Sequence, residues 1–170
     1  VLAAFSMRNV RIGPCRAAVL AMFAPGATVD RGELIDGLDE MASTVDWYAA
    51  LEWDWTPTEC AEVASGSATT VTCSYTHANA WTRALDVGPF NAGEAVYVIE
   101  DGLITSYSYD LTSSGFSQHA WNVFVRWTAD NHPDEIVVIV PDRCCTPSMT
   151  PEAIVLWEEF TAEFVAEQAG

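Results

Sequence analysis

Five side chains in two short stretches are of the types that carry acid/base chemistry. They are Tyr75 and His77 in "TTVTCSYTH", and Tyr107, Tyr109 and Asp110 in "VIEDGLITSYSYDL". A carboxylate between apolar walls has its pKa raised toward working pH and can abstract a proton next to a carbonyl. A tyrosine hydroxyl can stabilise the enolate that results. Imidazole, with an unperturbed pKa of ~6.5, is an alternative base. The candidate catalytic set is therefore Asp110, His77 and Tyr75. Each has a competing structural role. Asp110 precedes "LTSSG", where an aspartate commonly bonds turn amides. Tyr107 and Tyr109 suit a core with satisfied hydroxyls, and His77 suits a structural or rim position.

Seven tryptophans form the second feature. Trp47, Trp53 and Trp55 bracket "WYAALEWDW", Trp81 follows the first strand, and Trp121, Trp127 and Trp157 fall on later helices. A cavity for a flat apolar ligand uses such side chains. Tyr107, Tyr109, Trp55, Trp81 and Trp121 are the candidate ligand-binding residues, although helical spacing equally suits Trp121 and Trp157 to plain core packing. No GxSxG, Walker-type loop, GxGxxG, HExxH or EF-hand pattern is present, so those classes lack support. No metal or organic cofactor is expected.

The elements that position these residues follow from periodicity. Pro14 suits the first turn of a helix that "APGATV" stops. Asp30 with Glu33 resembles a capping box opening a helix through Leu34, Leu38, Met41, Val45 and Tyr48. After "TPTEC" the period becomes two, and Val71, Cys73, Tyr75 and His77 share one face of a strand. Asp101-Gly102 signals a type I′ hairpin turn. With a two-residue turn and strict alternation, Val96, Val98, Thr105, Tyr107 and Tyr109 lie on one face. Tyr97, Ile99, Ile104, Ser106, Ser108 and Asp110 lie on the other. The face shared with Val96 and Val98 is expected inside, leaving the serines outside. A helix from about Ser117 to Asp130, a buried strand at "IVVIV" and a final helix capped by Thr150 and opened by Pro151 complete an α+β order.

Composition bounds the rest. One domain spanning residues 1–170 is expected from the length. The formal charge of −17 repels phosphate backbones and anionic membrane surfaces, so neither nucleic acid nor a membrane is an expected partner. No apolar run approaches the ~20 residues that span a bilayer, and the eight-residue "AAVLAMFA" fits a secretory signal poorly. A cytoplasmic location is the expectation. Cys60 and Cys73 can face each other across a hairpin but read as free thiols in that compartment. Adjacent Cys144 and Cys145 suit neither an ordinary disulfide nor zinc.

The order of elements, with "VLAMFAPGATV" after an opening helix and "EAVYVIEDGLITSYSYDL" as a late hairpin, resembles the nuclear transport factor 2-like superfamily, and within it the SnoaL-like proteins of bacteria. The resemblance covers roughly residues 1 to 128. It implies a curved antiparallel sheet wrapped around helices into a cone, with an added C-terminal helix here. It also implies a small hydrophobic molecule at the cone's open end and a homodimer through the outer sheet surface. Relatives include ketosteroid isomerase, limonene epoxide hydrolase, polyketide cyclases and pure binding proteins, so the fold leaves two functions open. One is a cofactor-independent isomerase, cyclase or dehydratase. The other is a non-catalytic binding or dimeric interaction protein. The Asp–Arg–Asp arrangement of limonene epoxide hydrolases has no counterpart on this hairpin, since the nearest arginine is Arg83.

Overall fold

The computed structural model describes residues 16–30, 35, 36, 38–110 and 115–170. A short helix, Arg16–Leu20 (α1), leads into strand Phe23–Asp30 (β1), the two-residue strand Ile35–Asp36 (β2) and helix Leu38–Ala50 (α2). Strands Asp54–Ser65 (β3) and Ala68–Ala78 (β4) follow, then helix Ala80–Ala84 (α3) and strands Phe90–Glu100 (β5) and Leu103–Asp110 (β6). A π-helical turn, Ser117–Trp121, continues into Asn122–Asn131 (α4); Ile136–Ile139 (α5) and Pro151–Gln168 (α6) end the order. The architecture is α+β, as the sequence suggests, with a curved, unclosed sheet ordered β2-β1-β6-β5-β4-β3. All pairings are antiparallel except β1 with β6.

Two apolar cores meet at Trp55, which packs against both. One fills the concave side of the sheet, where Val29, Val71, Cys73, Tyr75, Tyr97 and Ile104 are buried. The other is helical. Trp81 of α3 stacks on Phe124 of α4 with ring centroids 3.9 Å apart, and its indole N–H donates to Thr161 Oγ1 of α6 at 3.0 Å. Helix α6 starts where its sequence says it should. Thr150 Oγ1 accepts from the Ala153 amide at 3.2 Å, and Pro151 occupies the first turn, where a missing N–H costs nothing.

Several expectations are corrected. "APGATV" does not stop a helix but lies within β1, where a register shift between Phe23 and Thr28 accommodates Pro25 and Gly26 at φ +79°. Helix α2 begins at Leu38, and Asp30, read as its cap, belongs to β1. The capping partner Glu33, and the opening helix before Arg16, lie outside the described residues. "IVVI" is a helical turn, because Ile136, Ile139 and Val140 bury one side at helical spacing. "DWTPTECAEVAS" is a strand, paired along its length with β4. Both cysteine pairs are joined as disulfides. Cys60 and Cys73 sit directly opposite on β3 and β4, and Cys144 is bonded to Cys145.

Candidate functional site

The hairpin β5–β6 determines what faces the concave side. Asp101 (φ 50°) and Gly102 (φ 81°) form the expected two-residue turn, and Ile99 pairs with Ile104. The ladder then shifts. Val98 pairs with Ser106, so Thr105 is an extra residue, a β-bulge on β6. Beyond it Tyr97 stands directly opposite Tyr107, and Ala95 opposite Tyr109. The inward set is thus Tyr97, Ile99, Ile104, Tyr107 and Tyr109, while Val96, Val98, Ser106 and Ser108 take the other face. Strict alternation predicts the tyrosines inward with Val96 and Val98. The tyrosines are inward, but the valines are not, because the bulge resets the parity.

A cavity of about 180 Å³ opens between this face and the helices. Tyr75 of β4, Tyr97 of β5, Tyr107 and Tyr109 of β6, and Tyr48 of α2 all line it. These are the chain's five tyrosines without exception. Ala18 and Val19 of α1, Met22, Phe23 and Met41 supply apolar walls, and Trp55 supplies an aromatic one. The Tyr75 and Tyr97 hydroxyls are hydrogen-bonded at 3.0 Å, and Tyr97 is also bonded to Tyr107. A second pair, Tyr48 and Tyr109, lies 3.4 Å apart. The rings stack along the sheet, Tyr97 on Tyr107 at 4.9 Å and Tyr107 on Tyr109 at 5.3 Å.

Burial pushes the Tyr97 phenol well above its usual range, reinforced by the neighbouring Tyr107 and Tyr75. It raises Tyr75 as well, partly offset by the bond from Tyr97. Both stay protonated and act as neutral donors and acceptors.

Four of the residues singled out by sequence come together here: Tyr75, Tyr107, Tyr109 and Trp55. The other four stand elsewhere. Asp110 is exposed at the end of β6, opposite Glu94, and is not part of the lining. The "LTSSG" amides proposed as its partners fall mostly outside the described residues. His77 is 2% exposed, boxed by Trp53, Trp55, Phe90 and Phe116; desolvation lowers its pKa to about 4. Trp81 and Trp121 belong to the helical core. Sequence reading missed Tyr48, Tyr97 and Glu94, the one acidic residue among the described lining residues. Tyr48 was recoverable, because helical spacing already places it on the buried side of α2; Tyr97 was hidden by the bulge.

No protein-family model matches the chain, and no curated protein matches it. Among solved structures, a provisionally assigned aromatic ring hydroxylase from Novosphingobium aromaticivorans aligns with a TM-score of 0.50 at 15% identity, over 66% of this chain and 85% of that one. The likeness to that structure is one of α+β fold. A protein of unknown function with a cystatin-like fold from Nostoc punctiforme gives 0.49 at 13% identity, over 65% and 86% of the two chains. A provisionally assigned ketosteroid isomerase from Shewanella frigidimarina gives 0.48 at 16%, over 62% and 89%. At such identities the likeness concerns the fold alone, and chemistry must be argued from the site. No helix among the described residues is long and apolar enough to cross a membrane.

Proposed function

We propose that the cavity binds a small, neutral, largely apolar molecule of about one ring, oriented by the tyrosine hydroxyls. The observation that carries this reading is the convergence of all five tyrosines on one space of about 180 Å³. Size decides the class of ligand. Drug-sized molecules occupy roughly 300–1,000 Å³, whereas an engineered apolar cavity of about 150 Å³ holds benzene. A single ring with a short substituent fits, and a four-ring steroid does not. A carbonyl or hydroxyl on that ring would find phenol donors on the sheet side.

The test is calorimetric titration with cyclohexenone and with a steroid ketone. One-ring binding that weakens about two- to tenfold in Tyr97→Phe, the worth of one neutral hydrogen bond, supports the reading. Tighter binding of the steroid, or no binding by either, would overturn it.

Acid/base catalysis is the second reading, with Glu94, exposed at the rim of the cavity, as the carboxylate nearest donors that can hold an enolate. Deuterium exchange of the α-hydrogens of bound cyclohexanone reads it directly. Exchange lost in Glu94→Gln supports an enzyme, and no exchange in the wild type makes the chain a binder. The same proposal includes a homodimer through the outer sheet face. There Thr70, Thr72, Val96, Val98, Ser106 and Ser108 stand half-buried. A monomer by light scattering at all concentrations ends that part.

A further inference from the structure

The segment between α5 and α6 builds a second chemical site. Its sequence, Pro141-Asp142-Arg143-Cys144-Cys145-Thr146-Pro147, puts two thiols side by side between two prolines. In an extended chain successive side chains point to opposite sides, and adjacent sulfurs stay apart. Here the backbone curls around one carboxylate. Asp142 Oδ1 accepts from the amides of Cys144 at 3.0 Å, Cys145 at 2.9 Å and Thr146 at 3.3 Å, and Arg143 turns the chain with φ +54°. Three amide donors converge on one oxygen only if the peptides wind about it, and that winding brings the two sulfurs to one side. The curl is anchored from below. The indole of Trp121 donates to the Cys144 carbonyl at 2.7 Å, and that of Trp157 to the Ser148 carbonyl at 2.9 Å. Both indoles belong to the helical core.

We propose that Cys144–Cys145 is a reversible thiol–disulfide exchange site for low-molecular-weight thiols. A thiolate attacks one sulfur of the pair; the Cys144–Cys145 bond breaks, a mixed disulfide forms, and the departing cysteine sulfur takes a proton. A second thiol attacks the mixed disulfide and releases the oxidised small molecule. The pair gains two electrons and two protons, and two thiols become one disulfide. Access separates this pair from the other. Cys144 and Cys145 are both exposed, whereas Cys73 is 5% exposed within the sheet core and Cys60 is half-buried beside it. Asp142 is the positioning residue. Its amide bonds hold its own carboxyl well below the usual carboxylate range, so it stays an acceptor through the physiological range.

The experiment equilibrates the full chain in glutathione buffers of rising reduced-to-oxidised ratio, traps free thiols by alkylation and locates them by peptide mass spectrometry. Cys144 and Cys145 are expected to open together at a ratio that leaves Cys60–Cys73 closed. After opening, phenylarsine oxide should add once per chain with loss of one water. The midpoint should move toward lower thiol in Asp142→Ala, and Asp142→Asn, which keeps an acceptor, should restore part of the difference. A structural role alone would lower stability without moving that midpoint. Cys60–Cys73 opening first, the two pairs opening together, or Cys144 and Cys145 staying in one state at every ratio would each overturn the assignment. An unmoved midpoint in Asp142→Ala would remove Asp142 from it.

Discussion

His77 gives the sharpest test of the packing next to the cavity. Its imidazole lies 5.2 Å from Trp53, nearly parallel at 8°, with Phe116 edge-on at 4.9 Å and Trp55 and Phe90 closing the remaining sides. Neither ring nitrogen has a hydrogen-bond partner among the described residues. Burial lowers the pKa from 6.5 to about 4. The sign follows from proton counting. Between pH 6.5 and 4 the unfolded chain binds a proton at this histidine that the folded chain refuses, so unfolding is favoured as pH falls. The stabilisation is complete above 6.5 and lost progressively down to about 4. At about 1.4 kcal/mol per pH unit that window is worth about 3 kcal/mol. Cation–π attraction to the rings offsets up to about 2 kcal/mol or slightly more of this, leaving a net acid penalty of about 1 to 3 kcal/mol.

The net charge of −17 complicates a bare pH titration, because protonating surface carboxylates relieves self-repulsion over part of the same range. The comparison with His77→Phe removes that contribution, since both proteins share it. Urea unfolding followed by tryptophan fluorescence should show the variant at least as stable at pH 7, where it removes two buried nitrogens without a partner among the described residues. At pH 4 the wild type should have lost about 1 to 3 kcal/mol more than the variant. Parallel stability curves from pH 7 to pH 4 would refute the enclosure of His77.

Three further outcomes follow from named contacts. Replacing Cys60 and Cys73 together by alanine should lower unfolding free energy by about 3 kcal/mol, the chain-entropy value for a loop of this length; urea unfolding free energies extrapolated to water check it. Thr161→Val leaves the buried Trp81 indole N–H without an acceptor and should cost about 1 to 3 kcal/mol by the same assay. Thr150→Ala removes the acceptor for Ala153 N and should cost about 1 kcal/mol, seen as a few degrees in thermal unfolding.

Local chemistry was legible where a residue has one strong use. Asp101-Gly102 marks its turn, Thr150-Pro151 marks its helix start, and the alternation of Val71, Cys73, Tyr75 and His77 marks the buried side of β4. Strand β3 was invisible because it is an edge strand. Pro57, Glu59 and Glu62 break any apolar alternation, and most of its residues are exposed. "IVVI" is too short for periodicity to separate strand from helix. The candidate site was half legible for a different reason. A period-two count carries no information about Thr105, whose side chain looks like any strand threonine, yet that one extra residue decides which neighbours Tyr107 meets. Hence strict alternation puts Tyr97 on the wrong side, whereas Asp110, counted with the outward serines, is indeed exposed at the end of β6.

The charge of the ligand can be argued one step further. A protein of net charge −17 with Glu94 at its cavity attracts cations over distance, and tyrosine-rich cavities can hold quaternary ammonium groups over ring faces. The stacking here opposes that. Tyr107 lies between Tyr97 at 4.9 Å and Tyr109 at 5.3 Å, so the sheet's tyrosines spend their faces on one another. A cation inside would keep about 2 kcal/mol of ring attraction, against several kcal/mol of desolvation without a buried counter-charge. An anion would meet the same desolvation and the protein's own field. A neutral ring pays neither cost and still finds hydroxyl donors. Cyclohexenone is therefore expected to bind at least tenfold more tightly than tetramethylammonium, a compact cation that fits the cavity by size. Equal or stronger binding of the cation, with heats that shrink as salt rises, would show that the long-range field outweighs the stacked rings.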